Sequence, residues 1–262
     1  MRRGDHRLNH RIRWIWLAVA VVALGIAFLQ TLAPRKPHPS GSGRPRLILF
    51  PAPETNLMPY EEAKKCLVAN PNDVKALTSV MIYYQQQGRW RDSVVLARRI
   101  VANYPQEVLG HLGLAYALQN LGATEEAIKV VQQALERPFT GFDRGQLLRV
   151  LGDLRLVQYA KHHDAHILAL AEQHYQEAHA LRTPLAMVGM ARVAIARGQD
   201  SVARLYLTQV YSRSPYPRER ALAAYYLGYL AERRNLHEES KYWYGIAVRT
   251  HPHSFVQNRL KE

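Results

Sequence analysis

The densest group of chemistry-bearing side chains in this sequence is KHHDAH, Lys161 to His166. His162 and His166 stand four apart. On a continuous helix that spacing sets two imidazoles on one face, where they can share a metal ion. His163 and Asp164 lie between them, and His174 and His179 follow. No carboxylate–histidine spacing completes a metal set, and a solvated polar turn accounts for the same residues. His162, His163 and His166 are thus the metal candidates of a chain for which no cofactor is expected. The single cysteine, Cys66, excludes an internal disulfide and has only Lys64 and Lys65 beside it; it is expected to pack as a small apolar residue. Glu125–Glu126 and Glu238–Glu239 fall early in predicted helices, where they complement the helix N-terminus. The sequence has no phosphate-binding glycine loop, no HExxH and no GxSxG. It presents no catalytic constellation, so a non-catalytic protein is expected.

The elements that would position side chains show a period. Pro71 and Pro105 lie 34 apart, as do Gly88 and Gly122. Pro184, Pro215 and Pro252 continue the series at intervals of 31 and 37. AAYYLGYLAERR, Ala223 to Arg234, reads as a helix with Gly228 at its centre. Glycine there costs about 1 kcal/mol relative to alanine, so close packing must offset it. A period near 34 with small residues at fixed offsets describes stacked antiparallel helix pairs.

Position by position, the sequence resembles the tetratricopeptide repeat family. One unit supplies Leu77, Val80, Met81, Tyr84, Gly88, Ser93, Ala97, Ile100 and Pro105. The next supplies His111, Leu114, Ala115, Leu118, Gly122, Ala127, Val131 and Ala134. A later one supplies Met187, Met190, Ala191, Ala194, Gly198, Ala203, Leu207, Val210 and Pro215. The last supplies Ala224, Leu227, Gly228, Ala231, Asn235, Ser240, Tyr244, Ala247 and Pro252. A middle unit keeps Leu148, Leu151, Gly152, Ala171, Tyr175 and Ala178 but has Arg155 at a large apolar position, and AKHHDAH is expected to lengthen its turn. YEEAKKCLVANP fits a lone second helix at the front, with Ala63 and Cys66 packing. The resemblance implies an all-α fold, an α-solenoid of helix pairs wound as a right-handed superhelix, over residues 59–262. That is about five repeats, a leading half repeat and a C-terminal cap.

It also implies a concave groove lined by first helices. The facing positions hold Gln85, Gln86, Tyr116, Gln119, Asn120, Arg149, Asp153, Arg192, Tyr225, Tyr229 and Arg233, a mixed polar and aromatic lining suited to a peptide or helical segment. The clamp by which some members of the family hold a chaperone C-terminal carboxylate is absent. Its lysine and asparagine positions carry Thr78, Ile82, Leu112 and Tyr116.

Ahead of the repeats, Trp14 to Ala33 contains no charged residue. Twenty helical residues span roughly 30 Å, the thickness of a hydrocarbon core, and Trp14 and Trp16 suit its boundary. A cleaved export signal is the competing reading, opposed by the length of the run and by Pro34 after Ala33. The expected order is a basic tail at 1–13, a transmembrane helix at 14–33 and a Pro/Gly/Ser-rich linker at 34–58. Of the 35 basic residues, nine flank the apolar run, with one of the 21 acidic ones, which leaves the rest of the chain an excess of six. That concentration favours a membrane surface over nucleic acid, which is not expected as a partner. Five arginines before the run place the N-terminus in the cytoplasm and the repeats in the periplasm, on a single-pass inner-membrane protein. The layout resembles anchored bacterial repeat proteins that assist cytochrome maturation, pilus or secretion systems, or polysaccharide export. The expected function is a scaffold that recruits protein partners to an envelope assembly. The alternative is a metal-handling protein using His162–His166, and self-association remains open.

Overall fold

The computed structural model describes residues 57–251. The basic tail, the Trp14–Ala33 run, most of the linker and the segment after His251 lie outside the described residues. Among the described residues there are eleven helices and no strand. They are α1 (Tyr60–Ala69), α2 (Val74–Gln86), α3 (Trp90–Asn103), α4 (Val108–Asn120), α5 (Thr124–Leu135), α6 (Gly141–His162), α7 (Ala165–Ala180), α8 (Ala186–Ala196), α9 (Asp200–Arg213), α10 (Pro217–Glu232) and α11 (His237–Thr250). Among them no helix is long and apolar enough to cross a membrane. Leu57 and Met58, at the end of the linker, already pack on this unit: Met58 N–H donates to Ser79 Oγ at 3.0 Å.

Local chemistry sets the helix ends. Asp73 caps α2 by accepting from Ala76 N–H at 2.7 Å, and Pro217 opens α10 where its missing N–H costs nothing. Gly88, Gly122 and Gly198 follow first helices at positive φ, and Asn235 takes the same conformation (φ 59°) after α10. Asparagine is among the few residues that adopt it readily.

Each helix packs on the next, which makes an antiparallel stack. The first helices α2, α4, α6, α8 and α10 also touch one another in series, while no contact of comparable extent joins one second helix to the next. The stack therefore curves with its first helices inside. Two apolar clusters fill it. One runs from Leu77 to Leu154 and the other from Val188 to Ala247. Leu156, Leu168, Ala171, Tyr175 and Val193 form a smaller cluster between them.

The middle unit departs from the sequence expectation. The extra residues do not lengthen a turn. They extend α6 to 22 residues, so that only His163 and Asp164 separate it from α7. No glycine or proline interrupts Asp153 to His162, and the added turns find partners on α5. Gln158 Nε2 donates to Glu125 at 3.0 Å and Lys161 Nζ to Thr124 Oγ1 at 3.3 Å.

Gly228 meets the packing demand read from its sequence. A Cβ there would fall 2.7 Å from the Tyr244 ring and 3.2 Å from the Ser240 carbonyl oxygen, so α10 and α11 are close enough to exclude a methyl group. Gly245, inside α11, would meet only the movable end of Arg249, at 3.3 Å. Two substitutions that raise helix propensity equally should thus differ in sign. Gly245→Ala is expected to raise the urea midpoint, by a gain of up to about 1 kcal/mol. Gly228→Ala is expected to lower it, since overpacking costs about 1–3 kcal/mol.

Candidate functional site

The inner face is built from equivalent positions on successive first helices. Tyr116 of α4, Asp153 of α6, Arg192 of α8 and Tyr229 of α10 occupy one such row; Leu112, Arg149, Val188 and Tyr225 occupy the row a turn earlier. Large side chains fill the inside of the curve, and the rows differ in exposure.

At the centre, Asp153 is the acceptor for three donors. Arg149 Nη1 reaches its carboxylate at 2.8 Å, Tyr175 hydroxyl at 2.8 Å, and Arg192 Nη1 closes the group from α8. Arg149 Nε also donates to Gln146 at 3.1 Å. The Arg149 and Asp153 side chains are 6% and 5% exposed and Arg192 is 14% exposed. Burial opposes the charge of Arg192, but Tyr226, Tyr175 and Asp153 outweigh it and hold the guanidinium protonated above its ordinary range. Arg192 also lies over the Tyr226 ring, 6.0 Å from its centroid. Burial, with the nearby carboxylate, pushes the Tyr175 phenol well up, and burial does the same for Tyr226. Both phenols remain neutral, and that of Tyr175 donates to Asp153. The node joins one carboxylate to two guanidiniums and a phenol, all bonded within the fold.

The remaining groove candidates divide by accessibility. Gln85 is buried and ties three helices, donating to Ser93 Oγ at 2.9 Å and to Gly113 O at 3.0 Å. Tyr225 is 2% exposed, with its ring 5.2 Å from Tyr226 and 5.5 Å from Tyr244. Gln85, Arg149, Asp153 and Tyr225 therefore present almost no surface. Tyr116, Gln119, Arg192 and Tyr229 are half-buried, and Gln86, Asn120 and Arg233 are exposed. Tyr116 stands edge-on to Trp90 at 5.4 Å; burial raises its phenol, opposed by its bond with Asn120 and by the charge of Arg218 on α10. Arg233 pairs with Asp200 at 2.9 Å. The sequence reading omitted Trp90, which opens a second helix, and Arg218, which precedes the unit by positional count. Helical spacing was the available signal for Arg218: it lies four, seven and eleven residues before Leu222, Tyr225 and Tyr229, on their face.

The histidines serve as helix punctuation. His162 ends α6 and His163 takes a left-handed conformation (φ 55°) with its N–H on Tyr159 O at 2.7 Å. Asp164 caps α7 by accepting from His166 N–H at 2.8 Å. The helix breaks between His162 and His166, so their spacing does not put them on one helical face. Among the described residues no group of three His, Cys, Asp or Glu is arranged to hold a metal ion. Cys66 is half-buried against the Ala63, Ala76 and Val80 cluster.

With this geometry in view, the comparisons are consistent. Residues 82–140 match the tetratricopeptide repeat family model. No curated protein sequence matches the chain. Among solved structures, the chain resembles the anaphase-promoting complex heterotetramer Cut9–Hcn1 (TM-score 0.61, 16% identity), covering 77% of this chain but only 38% of that one. It resembles a thermophilic tetratricopeptide repeat protein of Thermus thermophilus (TM-score 0.61, 17% identity), covering 72% of this chain and 97% of that one. It also resembles PilW, a type IV pilus biogenesis factor (TM-score 0.55, 16% identity), covering 77% and 90% respectively. At these identities the likeness shows the fold. The described residues form an all-α helical solenoid like those structures, and the tetratricopeptide repeat match lies within it.

Two predictions follow from the buried groups. Asp153→Ala leaves two buried guanidiniums without their carboxylate and is expected to cost about 3–5 kcal/mol, read as a lowered urea midpoint. The second concerns pH. Burial lowers His111, opposed by its bond to Pro105 O and helped by Arg137. Burial also lowers His174, opposed by Glu177 and helped by Arg155. The unfolded chain therefore binds these protons first. Stability is full above the unfolded histidine range near 6.5 and falls as pH drops through it towards the folded values. The urea midpoint should decline below about pH 6.5, and the decline should be shallower in His111→Gln/His174→Gln.

Proposed function

We propose that the chain is a non-catalytic, membrane-anchored scaffold that recruits a protein partner along the inner face of its solenoid. In this reading Trp14–Ala33 spans the inner membrane and the repeats lie in the periplasm, where they assist assembly of an envelope complex of the cytochrome-maturation, pilus, secretion or polysaccharide-export type. The observation that carries the reading is the inner face itself. Half-buried Tyr116 and Tyr229 line a curve whose central Asp153, Arg149 and Arg192 are bonded within the fold. Such a surface offers aromatic anchors at low ordering cost. PilW, a pilus biogenesis factor of the same fold, adds support for an assembly role. Tethering to a bilayer raises the effective concentration of the face for partners in the same membrane, so modest affinity suffices.

The test is cross-linking capture from native membranes. Wild-type protein is expected to retain a defined set of partners, and Tyr116→Ala/Tyr229→Ala to lose it while keeping the wild-type helical content. Capture of the same partners by that variant would exclude the inner face. A protease-protection assay on intact and permeabilised cells checks the topology: cleavage of the repeats before the inner membrane is opened is the expected result.

A further inference from the structure

The charge of the described residues is unevenly placed. Residues 57–181 contain thirteen basic and thirteen acidic side chains, whereas residues 182–251 contain eleven basic and five acidic. Helix polarity divides the second group again. Second helices end, and first helices begin, at one edge of the stack; the turns within each unit form the opposite edge. Asp200 opens α9, Glu238 and Glu239 open α11 and Glu232 closes α10, so four of the five carboxylates belong to the within-unit edge. Cations meet them there: Arg233 bonds Asp200 and Arg204 bonds Glu239, each at 2.9 Å.

The unit-to-unit edge is different. It holds Arg182 in the α7–α8 turn, Arg213 at the end of α9, Arg218 and Arg220 in the first turn of α10, and Arg249 in the last turn of α11. Glu219 is the single carboxylate of residues 182–251 on this edge. It is committed within the fold, accepting from Leu185 N–H and the Ser214 hydroxyl. Among the described residues Arg182, Arg213, Arg220 and Arg249 make no ion pair. Arg220 Nε is buried without a hydrogen-bond partner, and an unmet guanidinium N–H is costly to leave in place. Arg218 and Arg220 also stand in the first turn of a helix, where the macrodipole disfavours cations.

We propose that this edge, continuous with the inner face of α10, docks an acidic segment of a partner protein, whose Asp and Glu carboxylates pair with Arg182, Arg213, Arg220 and Arg249. The proposal deepens, and rests on, the reading of the inner face as the partner surface. All four cations are arginines, whose planar fork matches a carboxylate in two bonds. A nucleic acid would need a longer basic track than two units beside a neutral stretch of 125 residues. A flat headgroup layer would not reach the recessed Arg220. A flexible acidic segment can follow both the edge and the recess.

The test uses the full-length chain in neutral detergent and a fluorescein-labelled decaglutamate peptide, with binding followed by anisotropy. Saturable binding that weakens as salt is added is expected. Arg182→Ala/Arg213→Ala/Arg249→Ala, three exposed changes, should weaken it about tenfold or more, and Arg220→Ala alone should also weaken it. Arg91→Ala/Lys129→Ala, which removes exposed charge from the second helices α3 and α5, should leave it unchanged. Equal binding by all variants would overturn the proposal, as would preference for decathymidylate or for phosphatidylglycerol vesicles over decaglutamate. Partner capture from native membranes separates the two readings. Partners lost in the triple arginine variant support the edge. Partners kept there but lost in Tyr116→Ala/Tyr229→Ala overturn the edge and leave the inner-face reading standing.

Discussion

The packing of Tyr175 between two glycines is the constraint on which the middle of this solenoid depends. A Cβ at Gly152 would fall 2.8 Å from its ring and a Cβ at Gly189 only 2.3 Å. The ring is fully buried and closes the gap between α6 and α8, where the N-terminal and C-terminal apolar clusters would otherwise end. Interiors tolerate neither a void nor an overlap of this size, so the two glycines and the tyrosine must be chosen together. Its hydroxyl then sets the position of Asp153, and Asp153 draws in Arg149 and Arg192. An apolar contact and an ionic one thus share a single side chain.

That coupling has a consequence for the inner face. Two buried guanidiniums around one carboxylate are costly to desolvate and costlier to separate, so the relative placement of α6 and α8 is narrowly set. A partner surface built over this node is pre-organised. Tyr116 on one side and Tyr229 on the other are carried by helices whose spacing the node helps to fix, and little ordering remains to be done on binding. The same logic places the binding capacity off the node itself. A group already saturated with internal bonds gains little from a ligand, whereas the half-buried aromatics beside it retain a free face.

The fold was legible in the sequence because repeats state their packing rules many times. Alanine or glycine at the close-approach position recurs as Ala115, Gly152, Ala191 and Gly228, and the helices stand where the proline and glycine period puts them. Two things were not legible. A positional rule cannot report how deeply a given side chain sinks, because that depends on neighbours from adjacent units. Gln85 and Tyr225 occupy facing positions yet are closed over, one by Ser93 and Gly113, the other by the rings of Tyr226 and Tyr244. Nor could KHHDAH be assigned to helix or turn by composition. The preceding residues are ordinary helix formers, and the decision rests on Gln158 and Lys161 finding partners on α5, a tertiary effect.

Charge placement carries a different kind of information from packing. The repeat pattern fixes small and apolar residues and leaves the turns between units largely free, so the composition of those turns is not dictated by the fold. In the first units they hold both signs: Glu107 caps α4, and Glu136 and Asp143 flank Arg137 and Arg144. In the last two the arginines outnumber a single carboxylate, Glu219, and two of them stand where the helix dipole resists a cation. Arginines without an ion pair among the described residues, at Arg182, Arg213, Arg220 and Arg249, where the fold makes no demand, are the pattern expected of a surface shaped by something outside the chain. The buried node is the opposite case. There every charge is answered within the molecule, and its arginines, although they lie on the inner face, are accounted for by the architecture alone.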